Sequence, residues 1–241
     1  MLNNLPATIL DGFPADLLQI VENVARKTGI EVEAMPYSKD ILVELPHMTK
    51  SQAVLDIDPD RSSITIWYDP DRLTASTLAH ELLHLRRNIL ESVPKLFPLN
   101  EVPASASDEV YSTENELEHL IIVPEQIKHF PEAEEWWATH YLELSERIHA
   151  GNMTLFYAWS FVRNVLPEHE QLASRYASLL RQYNIVRPAD YFREDMRIAA
   201  QDKFIMIKRL LDGFPQLRQY CDIGRYVVVQ GSLTLQHVNL D

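Results

Sequence analysis

The sequence predicts an α+β fold, in which a small sheet comes early in the chain and helices dominate the second half. Three observations favour it. Runs of β-branched and aromatic residues flank turn residues in the first third of the 241 residues, apolar stripes of helical period follow, and similar stripes separated by proline or glycine fill the second half. We therefore predict a core domain over residues 1–127 and a helical extension over residues 128–241 that carries a terminal β-hairpin.

The first elements are predicted to be one helix and a few strands. An apolar stripe over residues 11–29 indicates a helix that ends at Gly29, because glycine is a frequent stop for a helix. A short apolar run at residues 41–45 is typical of a strand. The runs 53–57 and 64–68 flank a stretch of aspartate, proline and serine, which together indicate a hairpin.

Two helices are predicted next, with a loop rich in proline and serine between them. The first covers residues 71–92, where leucines recur near a helical period. The second begins near residues 108–112 and is expected to end at Pro124. Thr113 and Glu116, three residues apart, have the spacing of a capping box at its start.

The second half is predicted to hold four helical pieces and a closing hairpin. The helical pieces are expected at residues 131–149, 153–165, 168–183 and 190–211. Two apolar runs that bracket residues 230–232, a Gln-Gly-Ser turn, indicate the hairpin.

The charge balance excludes some classes of partner. With 22 lysines and arginines against 35 aspartates and glutamates, the net charge is 22 − 35 = −13. A general nucleic-acid binder needs a basic face for phosphates, so we expect no nucleic-acid partner. No apolar run approaches the roughly 18 residues that a membrane-spanning helix needs, so we expect no membrane partner.

The single cysteine, Cys221, excludes a disulfide framework and fits a reducing compartment. The first residues, Met-Leu-Asn-Asn-Leu-Pro-Ala-Thr, lack the basic and apolar regions of a signal peptide. We therefore expect a cytoplasmic protein. We also expect Cys221 to be a buried apolar thiol, because it has no second cysteine with which to share a metal ion.

The segment His80-Glu81-Leu82-Leu83-His84 matches the H-E-x-x-H motif and lies inside a predicted amphipathic helix. A spacing of four residues puts His80 and His84 on one helix face, one turn apart. Two imidazoles so placed can bind one Zn²⁺ at about 2.0–2.1 Å each. In metallopeptidases with this motif, the glutamate acts as general base on the attacking water. The motif therefore predicts a zinc site with Glu81 as the base.

A third protein ligand is needed, because a catalytic zinc site keeps three of them and one open position. The second predicted helix offers Glu114 and Glu118, which are four residues apart and share a face. One carboxylate could bind the metal while the other supports a ligating histidine. The spacing does not decide which of the two is the ligand.

With these residues, the sequence resembles the gluzincin metallopeptidases, and within them the ImmA/IrrE-like proteins of bacteria and their mobile elements. The resemblance covers about residues 10–127. It rests on H-E-x-x-H at residues 80–84 and on residues 114–121, which are similar to a family motif of the form E-x-E-A-N/D-x-F-A. The resemblance implies a zincin-like core, formed by a small sheet and an active-site helix.

Matched to that motif, Glu114 takes the metal-ligand position and Glu118 the supporting position. Leu117 and Glu118 depart from the family pattern, which has a small residue and Asn or Asp at these places. In the alternative register Glu118 is the ligand, with Asn115 or His119 in support.

The function that follows is a zinc-dependent peptidase that hydrolyses a peptide bond in a cytoplasmic protein or peptide. The net negative charge favours neutral or basic segments of such a substrate. The strand at residues 64–68 is expected to be an edge to which an extended substrate can pair. Five residues are candidate donors to the reaction's oxyanion: Tyr111, His119, His129, His140 and Tyr141.

The alternative is a binding module of zincin fold that captures a protein partner without hydrolysis. The resemblance implies it, because ImmA/IrrE-like proteins are linked to the control of repressors. The partner would then be a regulator, and the oligomeric state is left open by the sequence.

Overall fold

A computed structural model describes residues 2, 4–37, 52–148 and 153–239. The architecture is α+β and mostly helical, with two small sheets, which confirms the predicted fold class at this level. The chain divides into two compact units, residues 1–93 with 225–237 and residues 94–224 with 238–241. The predicted boundary at residue 127 lies inside a helix of the second unit, and a division into folding domains there stays a prediction.

The first unit combines a three-stranded sheet with helices. Its sheet has the order β1-β3-β2, with β1 parallel and β2 antiparallel to the central strand. The strands are β1 (Val32–Pro36), β2 (Ala53–Asp58) and β3 (Ser63–Tyr68). The helices are α1 (Ala7–Leu10), α2 (Ala15–Thr28) and α3 (Ala75–Leu85), and α3 continues into a π-helical turn over Arg86–Leu90.

The hairpin predicted around residues 58–63 is confirmed, since β2 and β3 pair from Ala53 with Tyr68 to Asp58 with Ser63. The expectation that residues 64–68 form an edge strand is wrong. β3 lies between β1 and β2, so its backbone groups are used on both sides. The strand predicted at residues 41–45 lies outside the described residues.

Apolar burial explains why these helices form where the pattern predicts them. Leu17 and Val24 of α2 are buried, and the helix ends at Gly29, whose φ of 72° is left-handed. Three leucines of α3, Leu78, Leu82 and Leu85, are fully buried. Each such side chain contributes roughly 1.5–3 kcal/mol when it leaves water, so packing fixes the face that α3 presents.

The second unit is helical apart from short strands. It contains β4 (Lys95–Pro98), α4 (Ala104–His129), α5 (Ala133–Ser145), α6 (Thr154–Asn164), α7 (Glu170–Gln182), α8 (Val186–Ala199) and α9 (Lys203–Gly213). After a 3₁₀ turn over Pro215–Gln219, β4 pairs antiparallel with the beginning of β5 (Cys221–Val229). The end of β5 belongs to the first unit, where β6 (Ser232–His237) lies beside it.

The turn between β5 and β6 confirms the sequence signal for a closing hairpin. Gln230 and Gly231 have φ values of 52° and 82°. Positive φ at both central residues is what a two-residue type I′ turn requires.

Three boundary predictions are wrong in the second unit. α4 begins at Ala104, not at 108–112, and Pro124 lies inside it rather than ending it. Proline removes one helical hydrogen bond at a cost of about 3 kcal/mol, and the buried side chains of the preceding turns, among them Leu117 and Val123, outweigh that. Thr113 is therefore a buried mid-helix residue and not a cap.

The piece predicted over residues 190–211 is two helices, α8 and α9. The break falls at Asp202, whose side chain accepts hydrogen bonds from the backbone N–H groups of Phe204 and Ile205, at 2.9 and 3.3 Å. Aspartate is a preferred N-cap, so it starts a new helix there. None of the described helices is both long and apolar enough to cross a membrane.

Candidate metal centre

The H-E-x-x-H motif lies on α3, as predicted. The helix begins at Thr74, whose hydroxyl accepts a hydrogen bond from the Thr77 backbone N–H at 3.1 Å. His80 and His84 are one turn apart, with their Nε2 atoms separated by 3.1 Å and their rings nearly perpendicular, at 81°. His80 is 9% exposed, so the pair lies at the margin of the interior of the unit.

The separation of these two nitrogens fits a shared zinc ion. Two ligands at about 2.05 Å on a tetrahedral ion are roughly 3.3 Å apart, a few tenths of an ångström more than the separation seen. The same 3.1 Å is also a hydrogen-bond distance, in which one neutral imidazole donates to the other. The two Nε2 atoms are therefore close enough for both imidazoles to bind one ion.

Glu81 is turned toward the sheet. It is 7% exposed, and one carboxylate oxygen accepts the backbone N–H of Leu55 in β2 at 2.9 Å. Burial raises the pKa of Glu81 to about 7, and the bond from Leu55 works in the opposite direction. A carboxylate with a pKa near neutral is suited to take up and release a proton.

Replacing Glu81 with glutamine is expected to stabilise the metal-free protein at pH 8 and to leave its stability at pH 4 nearly unchanged. The pKa of Glu81 is raised from 4.5 to about 7 in the folded chain. Between these two pH values the folded chain keeps the Glu81 proton, whereas the unfolded chain releases it. The native free energy of unfolding therefore falls as the pH rises through this range, by on the order of 3 kcal/mol. Urea unfolding of the chelated proteins at both pH values measures this.

Glu33→Gln is the matched control, because Glu33 is an exposed carboxylate on β1 of the same sheet. Its free energy of unfolding is expected to stay within about 0.5 kcal/mol of the native value at both pH values. Equal stabilities of the native chain and Glu81→Gln at pH 8 would contradict a buried charge at Glu81.

The C-terminal end of α3 is held by α2. The Lys27 ammonium donates to the carbonyl oxygens of Ile89 and Leu90, at 2.7 and 3.0 Å, and to the Ser92 hydroxyl at 3.2 Å. These carbonyls belong to the π-helical turn that continues α3. A cation at a helix C-terminus is stabilising, so Lys27 fixes the helix that carries both histidines.

The two carboxylates predicted as third-ligand candidates share a partner in the second unit. The Lys203 ammonium donates to Glu114 at 2.8 Å and also to Glu118, and all three side chains are buried. Glu114 further accepts the Leu96 backbone N–H at 2.9 Å. Removing one partner of such buried ion pairs lowers the free energy of unfolding by about 3–5 kcal/mol. That Glu114 or Glu118 binds a metal stays a prediction.

His119 follows Glu118 on α4 and is 6% exposed. Its ring packs edge-to-face against Trp137 of α5, with the ring centres 4.8 Å apart. The sequence gives His119 supporting roles, as a partner of Glu118 or as an oxyanion donor, and these stay predictions.

The other predicted oxyanion donors also lie in the second unit, where Tyr141 and His140 have packing partners. The Tyr141 hydroxyl donates to Glu116 at 2.7 Å. The ring of His140 stacks on Trp136, and Tyr111 is 55% exposed. His129 lies half-buried at the end of α4. Their participation in a reaction stays a prediction.

Cys221 is buried, as expected, and its thiol donates to the Leu217 carbonyl oxygen at 3.2 Å. Burial raises the pKa of this thiol to about 11. It is therefore a neutral thiol at physiological pH and a poor metal ligand, because the thiolate is the ligating form.

No protein-family model, curated protein or solved structure gives a significant match to this chain. The resemblance to gluzincins and to ImmA/IrrE-like proteins accordingly stays a prediction that depends on the motif residues alone.

Proposed function

We propose that the protein is a zinc-dependent peptidase, in which His80 and His84 hold the metal together with Glu114 or Glu118 and Glu81 is the general base. The observation that carries the proposal is the pair of imidazole nitrogens 3.1 Å apart, flanked in sequence by a buried carboxylate. Two histidines and a glutamate with one open position form a known catalytic zinc set. When bound, zinc supplies an acidified water and polarises the carbonyl group.

The third ligand is proposed from the sequence pattern, which offers Glu114 and Glu118 on one helix face. Both carboxylates pair with the buried Lys203 ammonium. If one of them binds the metal, the other remains to pair with that cation.

Glu81 is suited to the proton transfers of hydrolysis. With a pKa of about 7, it is partly ionised at neutral pH and can take the proton of the attacking water. It then carries that proton to the nitrogen of the leaving amine. The hydrogen bond from the Leu55 N–H holds one carboxylate oxygen of Glu81, so the sheet fixes the orientation of this carboxylate.

The position of β2 supports a peptide substrate. Within the described residues it is an edge strand of its sheet, and its Leu55 N–H already reaches the carboxylate of Glu81. An extended peptide that adds to this edge would bring its own backbone carbonyls beside the base. β2 thus takes the role that the sequence pattern assigned to residues 64–68.

Hydrolysis is expected to rise in proportion to bound zinc, up to about one ion per chain. The measurement is the initial rate on a quenched-fluorescent peptide mixture, first after chelation and then during stepwise return of zinc. Full activity in the chelated protein would contradict the proposal. One bound zinc per chain without any hydrolysis would contradict the enzyme and favour the alternative, a zincin-fold module that holds a regulator.

A further inference from the structure

Tyr37 directly follows β1 and has a buried hydroxyl. That hydroxyl oxygen has no hydrogen-bond partner within the described residues. The Tyr37 backbone N–H donates to the Tyr68 carbonyl oxygen at 2.8 Å, so the residue is fixed to the end of β3. A buried donor without a partner lowers the stability of the folded protein. A ligand that supplies the missing acceptor would recover this free energy.

The strand register places Tyr37 beyond the end of β1, level with the start of β2, the strand whose Leu55 binds the general base. Pro36 pairs with Tyr68, and Tyr68 pairs with Ala53, two residues before Leu55 in β2. The backbones of β1 and β2 are therefore about 10 Å apart there, on either side of β3. Leu55, which binds Glu81, pairs with Ile66 and is level with Ala34, three residues before Tyr37.

The Glu81 carboxylate also acts electrostatically on the Tyr37 hydroxyl. Burial is the largest cause that raises the pKa of Tyr37, and the Glu81 carboxylate is the next. Arg72 acts in the opposite direction, and Asp69 adds to the increase. The hydroxyl therefore keeps its proton at neutral pH and is available as a donor in the field of Glu81.

We propose that Tyr37 is a catalytic residue that donates a hydrogen bond to the carbonyl oxygen of the scissile peptide group. This inference rests on the proposed peptidase function. As the water oxygen bonds to the carbonyl carbon, the π electron pair of the C=O bond moves to the carbonyl oxygen. The Tyr37 hydroxyl stabilises the negative charge on that carbonyl oxygen. No proton leaves Tyr37. When the C–N bond breaks, Glu81 protonates the amine nitrogen and the carbonyl re-forms.

Tyr37→Phe is expected to lower kcat about a hundredfold in the zinc-loaded full chain, with KM within about threefold of native. Zinc content should be unchanged, and thermal stability unchanged or higher, because the lost hydroxyl has no partner to leave behind. The rates are measured on the quenched-fluorescent peptide mixture.

Tyr68→Phe is the matched control. The Tyr68 hydroxyl, in the neighbouring strand, donates to the Asn4 carbonyl oxygen at 2.8 Å. Its removal should lower thermal stability and leave kcat within about twofold of native, because this hydroxyl already has a structural partner.

A kcat of Tyr37→Phe within about twofold of native would overturn the assignment, and so would a loss of zinc or of thermal stability that accounts for the slower rate. If the zinc-loaded native chain hydrolyses nothing, the peptidase proposal fails on its own. A phosphinic tetrapeptide, whose tetrahedral oxygens mimic the oxyanion, then decides about Tyr37 by calorimetry. Native binding at least about tenfold tighter than that of Tyr37→Phe supports the donor, and equal affinities overturn it.

Discussion

Glu81→Gln is expected to keep about one zinc per chain and to hydrolyse peptides about 10²–10⁴-fold more slowly than the native chain. The amide has the shape of the carboxylate and can still accept the Leu55 N–H, so the helix and its two histidines should keep their places. What it cannot do is take a proton from the attacking water. Initial rates on the quenched-fluorescent peptide mixture, with zinc content determined on the same samples, measure both effects.

Glu33→Gln serves again as the control for this substitution, since Glu33 is exposed on the same sheet. Its rate should equal the native rate. A Glu81→Gln rate within about tenfold of native would remove Glu81 from the chemistry. Loss of zinc from Glu81→Gln, in contrast, would show that this carboxylate has a structural part in the metal site.

Alanine at His80 or His84 is expected to weaken zinc binding by about 10²–10⁴-fold each. This follows if three or four ligands share an apparent binding free energy of about 10–16 kcal/mol. The affinity is measured by competition with a chromophoric chelator of known zinc affinity. Circular dichroism of the chelated variants checks that each remains folded.

Glu114→Gln and Glu118→Gln distinguish the two candidate third ligands. Each amide keeps the shape of the side chain but leaves the buried Lys203 ammonium with one carboxylate, so we expect lower stability of both variants. The variant at the ligand should lose zinc affinity as far as His80→Ala does, and the other by at most about 10–100-fold, the range of supporting residues around a metal. Native zinc affinity in both variants would exclude Glu114 and Glu118 as ligands.

The parts of the fold that sequence reasoning predicts are those with local signals. The hairpin of β2 and β3 has its strands and turn within 53–68, and α2 has its stop at Gly29. β1 is not predicted, because it pairs in parallel with β3, about thirty residues away, and carries no turn signal of its own. Pro124 is predicted to end its helix, because local rules do not include the burial that keeps α4 intact.

The candidate site likewise has one part with a local sequence signal and other parts without one. His80 and His84 share one helix, so a spacing of four residues is enough to bring their nitrogens together. The pairing of Glu114 with Lys203 joins residues 89 positions apart, and no periodicity indicates it. The orphan hydroxyl of Tyr37 is likewise invisible in sequence, because an unmet hydrogen bond exists only in the folded chain.

The most direct test of the account is the zinc content of the full chain, determined by mass spectrometry after exhaustive dialysis. The native protein and Glu81→Gln are predicted to hold about one zinc per chain, and the double variant His80→Ala/His84→Ala about a tenth of that or less. Equal zinc in the native protein and the folded double variant would contradict a metal site at the H-E-x-x-H helix.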